Sequence, residues 1–232
     1  MISAVIVAGG SGSRMKSSVK KQYLALGGRP IVAHALAAFD ACSTVDRILL
    51  VVPAGDLDHC RADIVAPLNL AHDVQVVAGG SRRQTSVLNG LAALGDSDGI
   101  VMIHDGVRPF VGASLIDACL AGVGLTGACI PAIPATDTLK RVDESGVIRE
   151  TLDRRQIWLA QTPQTFSIGL IRRAHQLALQ NGFAATDDAS VVEFAGEAVT
   201  VVPGDRENIK ITTPDDLTLA RAIFNRRAAS LQ

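Results

Sequence analysis

The sequence lacks an excess of charge of either sign. Its 232 residues include 22 Lys and Arg against 23 Asp and Glu, a formal net charge of −1. Proteins that bind a nucleic acid polymer usually carry a basic excess, so this balance argues against such a partner. Hydrophobic residues make up 48% of the chain and charged residues 19%. These proportions are typical of a globular domain with a sizeable core rather than of a disordered chain.

Cysteines spaced for a metal site or a disulfide scaffold are also lacking. The four cysteines, at positions 42, 60, 119 and 129, lie far apart and form no C-x-x-C pair. Such spacing favours buried thiols in a reducing compartment over zinc ligands or disulfides. We therefore expect a cytoplasmic protein.

Long apolar runs are missing as well. The longest uncharged stretch, 118–136, is interrupted by three glycines and two prolines. It predicts a helix end, a strand and a loop rather than a membrane span. The first positive charge, Arg14, follows the N-terminal apolar run instead of preceding it, which does not support a signal peptide.

Several familiar catalytic motifs are absent. The chain has no G-x-x-x-x-G-K-[ST] phosphate loop and no H-E-x-x-H, and Met15 stands where G-x-G-x-x-G needs its third glycine. There is also no serine elbow. These absences leave a covalent serine mechanism and a zinc hydrolase mechanism without residues to perform them.

What is present begins with a strand, a glycine-rich loop and cations, in that order. The apolar, β-branched run 3–8 predicts a buried strand, and glycines follow at 9, 10 and 12. Glycine lets the main chain approach a ligand closely. Arg14, Lys16, Lys20 and Lys21 come next. Bare backbone N–H groups beside cations suit a polyphosphate, although a glycine-rich turn can also serve only to turn the chain.

Apolar strand-like runs alternate with helical patterns along most of the chain. This alternation predicts a three-layer α/β fold, with a mainly parallel sheet flanked by helices on both faces. In such sheets, ligands bind at the carboxyl ends of the strands. The predicted strands are 3–8, 47–52, 74–78, 99–104, 128–133, 158–161 and 199–203. The predicted helices are 30–41, 56–66, 82–94, 114–125, 167–181 and 214–229.

The segment 135–156 departs from this pattern. Two polar-rich runs surround the turn 143–146, where Gly146 can supply a left-handed residue, and together they predict a β-hairpin. Its faces carry few apolar groups, and an isolated hairpin is marginally stable in water. We therefore expect this arm to protrude and to pack on a second copy of the chain, giving a homodimer; a mobile surface flap is the alternative.

Polar residues follow the predicted third and fourth strands. Asp105 and Arg108 could orient Mg²⁺ and bind an anion, or could pair with each other to hold their loop. Ser81, after two glycines, has the features of a helix N-cap. His104 fits a structural role. Lys210 is a single cation inside a strand-like run and has no evident structural purpose.

Helix-start signals occur twice in the C-terminal half. The segment 186–188 reads as the beginning of a helix. Thr213, with Pro214 and Asp216, predicts a capping box.

Eight motifs, in order, resemble those of the 2-C-methyl-D-erythritol 4-phosphate cytidylyltransferase family along almost the whole chain. They are AGGSGSRM with KQYL, GGSRRQTSV, HDGVRPF, ATDTLKR, LDRRQIW, QTPQTF, TDDASVVE and NIKITTPDDL. The resemblance implies a single Rossmann-like nucleotidyltransferase domain over 1–232, with 135–156 as a dimerisation arm that completes the neighbour's site. It also implies transfer of a cytidylyl group from CTP to methylerythritol phosphate, with Mg²⁺, in non-mevalonate isoprenoid biosynthesis.

The resemblance also implies roles for individual residues. The catalytic residues would be Arg14 and Lys21 at the α-phosphate, and Arg154 and Lys210 at methylerythritol phosphate. The substrate-binding residues would be Ala8, Gly9, Gly10, Gly80, Ser81, Arg83, Ser86, Asp105, Gly106, Arg108, Thr138 and Thr186, with Thr138 and Arg154 supplied by the partner subunit. Lys20 stands where the family commonly has proline, which leaves a choice between Lys20 and Lys21 for the triphosphate contact. The resemblance assigns no metal ligands.

Two other functions remain open at this point. A ribitol-5-phosphate cytidylyltransferase shares the glycine loop and the HDxVRP and QTPQ segments, although TDDAS and Arg154 favour methylerythritol phosphate. A non-catalytic nucleotide-binding module is the second alternative. Cations in two separate motifs argue against it, since sensing a nucleotide requires only one anion site.

Overall fold

The computed structural model describes residues 1–10 and 19–230. Within these residues, eight strands form one central sheet in the order β10-β7-β11-β6-β1-β4-β5, with β12 beside β7. The strands are β1 (Ile2–Val7), β4 (Arg47–Val52), β5 (Val74–Ala78), β6 (Ile100–Asp105), β7 (Ala128–Pro134), β10 (Trp158–Ala160), β11 (Gln164–Ser167) and β12 (Thr200–Pro203). Only β10 and β11 run opposite to the other strands of the described sheet, so the mainly parallel sheet is confirmed.

Helices cover both faces of this sheet. They are α1 (Ile31–Asp40), α2 (Leu57–His59), α3 (Arg83–Ala93), α4 (Ala113–Thr126), α5 (Ile168–Gln180), α6 (Asp188–Phe194) and α7 (Pro214–Ala229). Side chains of β4 alternate between two buried clusters: Ile48 and Leu50 face one, and Leu49 and Val51 the other. This alternation follows from the two-residue period of a strand. It explains why the central strands are apolar at most of their positions.

Two regions of secondary structure differ from the prediction. The expected helix 56–66 is broken: α2 is followed by a π-helical turn at Cys60–Val65 and a 3-10 turn at Ala66–Leu68. The 3-10 turn contains Pro67, which has no N–H to donate, and this is consistent with the break. β11 was not predicted. It is short and three of its four residues are polar, so only its pairing with β6 and β7 identifies it.

The predicted hairpin is present. Strands β8 (Lys140–Val142) and β9 (Ile148–Thr151) pair antiparallel, and all of their residues are exposed. Gly146 takes the left-handed conformation at φ +81°, as the turn requires. A second small hairpin, β2 (Ala25–Leu26) and β3 (Arg29–Pro30), lies before α1.

Both predicted helix starts are confirmed. Asp187 caps α6 and Thr213 caps α7, each through a reciprocal capping box. The N-cap predicted at Ser81 is wrong. The N-cap position is Arg82, whose backbone is extended, and α3 begins at Arg83 with no side-chain cap.

Candidate active site

A cleft of about 380 Å³ lies at the carboxyl ends of β1, β5 and β6. This is the edge at which a parallel sheet positions ligands. Its described lining combines bare backbone, three kinds of polar side chain and four cations. The lining residues are Val7, Ala8, Gly9, Gly10, Lys21, Gln22, Gly80, Ser81, Arg82, Arg83, Ser86, Asp105, Val107 and Lys210.

The two glycine segments meet at Ser86, which is buried on α3. The Gly80 N–H donates to Ser86 Oγ at 3.1 Å, and Ser86 Oγ donates to the Arg82 carbonyl at 3.1 Å. A Cβ atom at Gly9 would lie 3.0 Å from the same oxygen. Small residues are therefore required where these segments cross, and this leaves backbone exposed to a ligand. The adjacent N-terminus of α3, at Arg82 and Arg83, favours anions.

Lys20 and Lys21 lie in different surroundings. The Lys20 ammonium donates to both carboxylate oxygens of Asp56 at 2.6 Å, whereas Lys21 lines the cleft. Between Lys21 and Tyr23, Gln22 is fully buried and its amide donates to the Ala8 carbonyl at 2.8 Å. Of these two lysines, Lys21 is therefore the one that lines the cleft.

Asp105, at the end of β6, is surrounded by cations. Its carboxylate lies 3.2 Å from Arg83 Nε, 2.9 Å from Lys210 Nζ and 3.5 Å from Arg108 Nε. Burial alone would raise the pKa of Asp105, but the three cations outweigh it and hold that pKa well below its usual range. Asp105 is therefore a weak base that stays ionised and fixes the positions of the cations around it.

Arg83 connects this carboxylate to a second one, Asp188, at the start of α6. The Arg83 guanidinium lies 2.7 Å from Asp188 Oδ2. Burial would raise the pKa of Asp188, yet Arg83 keeps it lowered. Below it, the buried ring of His175 lies 3.6 Å from Asp188 Oδ1. Sequence patterns did not reveal this link, because Asp188 reads there only as part of a helix start.

Arg108 and His104 have structural contacts in this chain. Arg108 is buried and donates to the Asn208 carbonyl at 2.7 Å and to the Ala160 carbonyl at 3.5 Å. His104 is fully buried between the Arg108 carbonyl and the Thr162 hydroxyl. Burial lowers the pKa of His104 to about 4, so the ring is neutral at pH 7. The structural role expected for His104 is confirmed.

Several predicted site residues lie away from the described lining of the cleft. Arg14 falls outside the described residues. Thr138, Arg154 and Thr186 are exposed, and Arg154 donates to the Thr136 carbonyl. Gly106 is buried, and its N–H donates to the Val7 carbonyl at 2.9 Å.

Two further residues belong to the cleft although sequence reasoning did not select them. Arg82 and Gln22 line it, and Gln22 also anchors the loop to the end of β1. Their signals were their positions: Arg82 lies two residues after a glycine pair, and Gln22 directly follows Lys21. Among the described residues, there is no group of three or more His, Cys, Asp or Glu placed to hold a metal ion.

This lining suits the transfer of a group between phosphates. Exposed glycine backbone can accommodate a nucleoside, and Lys21, Arg82 and Lys210 supply positive charge for phosphates. Reactions of this kind are accelerated by positioning and by neutralisation of charge rather than by proton removal. The fold and the cleft together define an α/β nucleotidyltransferase.

Comparison with known proteins identifies the particular family. The family model for 2-C-methyl-D-erythritol 4-phosphate cytidylyltransferase matches residues 2–226, and the chain belongs to this family. Two relatives with that name, from Geotalea uraniireducens and Syntrophus aciditrophicus, are 47% and 48% identical to it. The alignments cover 96% of this chain in both cases, with 96% and 95% of the relatives.

Solved structures agree. The 4-diphosphocytidyl-2C-methyl-D-erythritol synthase from Anaerococcus prevotii superposes with a TM-score of 0.84 at 32% identity, covering 97% of this chain and 98% of the other. The 2-C-methyl-D-erythritol 4-phosphate cytidylyltransferase from Thermus thermophilus superposes at 0.79 with 33% identity, covering 97% and 100%. Within the described residues, none of the helices combines the length and apolarity needed to cross a bilayer.

Proposed function

We propose that this protein transfers the cytidylyl group of CTP to 2-C-methyl-D-erythritol 4-phosphate, in the non-mevalonate route to isoprenoid precursors. The products are 4-diphosphocytidyl-2-C-methyl-D-erythritol and pyrophosphate. Membership of the cytidylyltransferase family over residues 2–226 carries this proposal. The cleft supports it, because bare glycine backbone and cations line the same edge of the sheet.

The reaction needs no general base. A phosphomonoester has a second pKa of about 6, so its attacking oxygen is already ionised at neutral pH. This oxygen forms a bond to the α-phosphorus of CTP, and the bond from that phosphorus to the bridging oxygen breaks. The bonding electrons leave with pyrophosphate. The barrier that the protein must lower is the approach of two anions.

We assign the charge-neutralising roles to Lys21 and Arg14 at the triphosphate and to Lys210 and Arg154 at the acceptor phosphate. Lys21 supports this assignment by lining the cleft beside the first glycine segment. Lys210 also lines it, 2.9 Å from Asp105. The nucleoside would lie on the main chain of 8–10 and 80–81, with Ser86 beneath. Gly106 would contribute to the nucleotide side. Arg83, Asp105, Arg108, Thr138 and Thr186 would shape the acceptor side.

The cleft fits a magnesium ion that arrives with the triphosphate. Mg²⁺ is typically held by one or two carboxylates together with substrate phosphates, and keeps several waters. Asp105 is the single carboxylate among the described lining residues, so it is the described lining residue that would hold such an ion. When bound, the ion neutralises phosphate charge.

We further propose a cytoplasmic homodimer, with one catalytic domain per chain and residues 135–156 as its dimerisation arm. No described lining residue of the cleft comes from this arm. Exposed apolar side chains mark the arm and its base: Val142, Val147, Ile148, Trp158 and Leu159. A second copy packed here would cover them, and would bring Thr138 and Arg154 to its partner's cleft.

The activity is tested by incubating the protein with CTP, Mg²⁺ and 2-C-methyl-D-erythritol 4-phosphate and measuring pyrophosphate release. ATP and UTP replace CTP in control reactions, and ribitol 5-phosphate replaces the acceptor in another. We expect turnover with CTP and methylerythritol phosphate only. Turnover with ribitol 5-phosphate in its place, or CTP binding without turnover of any acceptor, would contradict the proposal.

The sharing of arms is tested with two inactive variants. Lys21→Ala damages the cleft and Arg154→Ala damages the arm. In a mixed dimer one site combines both defects, whereas the other combines an intact cleft with an intact arm. Mixing and reassembly should therefore restore about a quarter of wild-type activity. A mixture no more active than its components would show that each arm serves its own chain or none.

A further inference from the structure

Asp56 lies close to the cleft but is not among its described lining residues. It ends the short 3-10 turn Ala54–Asp56 that follows β4, at the same edge of the sheet. Its carboxylate binds Lys20 through both oxygens at 2.6 Å and accepts a hydrogen bond from the Tyr23 hydroxyl at 2.9 Å. One side chain thus holds the residues on both sides of the pair Lys21–Gln22.

The turn between Lys20 and Tyr23 is also held by contacts that do not involve Asp56. The Tyr23 N–H donates to the Lys20 carbonyl at 2.9 Å, which closes the turn. The buried amide of Gln22 bonds to the Ala8 carbonyl. Gln22 therefore points to the end of β1, Lys20 and Tyr23 point to Asp56, and Lys21 faces the cleft.

The protonation states of Asp56 and Tyr23 maintain the contacts of Asp56 with Lys20 and Tyr23 at neutral pH. The Asp56 side chain is 16% exposed. Burial would raise its pKa, but hydrogen bonds from Lys20 and Tyr23 keep it lowered, so the carboxylate is ionised at neutral pH. The Tyr23 hydroxyl also lies 3.2 Å from Cys60 Sγ, and its pKa is raised by burial. It therefore stays protonated and can donate.

We propose that Asp56 is a positioning residue, which sets the place of Lys21 in the cleft by holding Lys20 and Tyr23. This rests on the proposed function of Lys21 at the triphosphate. Asp56 itself acts on no ligand, and its effect on turnover passes through Lys21. Small errors in the position of a catalytic group are costly, since a displacement of about 1 Å can lower a rate by about 10²-fold.

The first test is Asp56→Ala, with Asp58→Ala as the matched control. Asp58 lies two residues away, is almost fully exposed, and pairs with Arg61. We expect Asp56→Ala to lower kcat by about ten- to a hundredfold, with the KM for methylerythritol phosphate nearly unchanged. Asp58→Ala should stay within about twofold of the unaltered protein. Equal turnover of the two variants would overturn the proposal.

A double-mutant cycle then separates positioning from general structural damage. In a Lys21→Ala background, Asp56→Ala should lower kcat no further, because the group that it positions is already gone. A full additional loss in that background would overturn the proposal. Near-normal turnover of Lys21→Ala alone would instead reject the proposed function of Lys21, a separate failure.

If Asp56→Ala does not fold, as judged by thermal unfolding, the combination Lys20→Ala with Tyr23→Phe removes the same contacts from the other side. This double variant then replaces Asp56→Ala in the double-mutant cycle with Lys21→Ala. We again expect it to lower kcat alone and to lower it no further in the Lys21→Ala background. Independence of this pair from Lys21→Ala would again overturn the positioning role.

Discussion

The ion pairs of the cleft and those of the arm have similar lengths but different surroundings. Arg83 and Asp188 lie 2.7 Å apart and are largely buried, whereas Arg141 and Glu150 lie 3.1 Å apart on the exposed hairpin. Water screens the second pair, and holding two long side chains costs entropy. In the cleft, ionised groups removed from water depend on their partners. Burial, more than distance, therefore distinguishes an ion pair that fixes the positions of its side chains from an exposed pair that contributes little to stability.

This comparison also shows what the buried carboxylates do. Asp105 and Asp188 hold Arg83 between them, and Asp105 also holds Lys210. These two cations are therefore in place at the cleft before any ligand arrives. Preorganised charge acts without reorganisation during the reaction, which is the main source of electrostatic catalysis. On the arm, charges keep an exposed hairpin soluble until, as we propose, a second copy covers it.

The largest expected effect is that of Lys21→Ala on turnover. By analogy with the loss of one preorganised donor, kcat should fall by about 10²–10³-fold. Steady-state pyrophosphate release measures it. Lys140→Ala, on the exposed arm strand β8, is the comparison variant and should retain most of the activity. A folded Lys21→Ala protein with near-normal turnover would contradict the role assigned to Lys21. It would also show that a cation of the cleft matters no more for turnover than one of the arm.

The second largest effect is expected from Asp105→Asn, which should lower the free energy of unfolding. The change leaves Arg83, Arg108 and Lys210 around a neutral group, and losing one partner of a buried pair is strongly destabilising. Because Lys210 is partly exposed and Arg83 keeps Asp188, we expect a loss of about 3 kcal/mol in the free energy of unfolding. Urea denaturation at pH 7 measures it. If Asp105→Asn loses less free energy of unfolding than the exposed arm variant Glu150→Gln, burial does not distinguish the ion pairs of the cleft from those of the arm.

A third effect concerns the pH dependence of stability and depends on His104. An unfolded histidine takes up a proton near pH 6.5, whereas burial holds the pKa of His104 at about 4 in the folded protein. Stability from this group is complete above pH 6.5 and is lost as the pH falls towards 4. From pH 7 to pH 5 the loss is about 2 kcal/mol.

Urea denaturation at the two pH values tests this. His104→Gln should flatten the dependence, whereas His59→Gln, on an exposed residue, should leave it unchanged. The same slope in the unaltered protein and in His104→Gln would show that the buried ring is not responsible.

The smallest effect is expected from Glu150→Gln on the arm. It removes the exposed pair with Arg141, and should change the free energy of unfolding by about 0.5 kcal/mol or less. Thermal unfolding at low and moderate salt checks this. A larger loss at low protein concentration than at high concentration would locate the effect in an assembly between chains rather than in the hairpin itself.

Local sequence signals located most of the fold. The strand at 47–52 was predicted with its observed bounds, because an apolar β-branched run of that length has few alternatives. The capping box at Thr213 was likewise readable, since cap chemistry is local. β11 was missed because Gln164–Ser167 has one large apolar residue, and its stability comes from strands that are distant in sequence.

The candidate site was predicted in part. Lys210 was selected as a cation interrupting a strand pattern and Lys21 by the family resemblance, and both line the cleft. The choice of ion partners was not predictable. Asp105 was matched with Arg108, its neighbour in sequence, while its closer contacts are Lys210 and Arg83. Such choices depend on where whole strands and helices are placed, which no local pattern encodes.

The crossing of the two glycine segments at Ser86 has a consequence for protein engineering. A side chain at Gly9 or Gly79 would bring its Cβ to 3.0 Å or 2.8 Å from the Ser86 hydroxyl and would expel it from its bond to the Gly80 N–H. Libraries that aim to alter nucleotide preference would gain few folded members by varying these glycines. Ser81 and Arg82 are exposed beside the same backbone, and offer diversity without that clash.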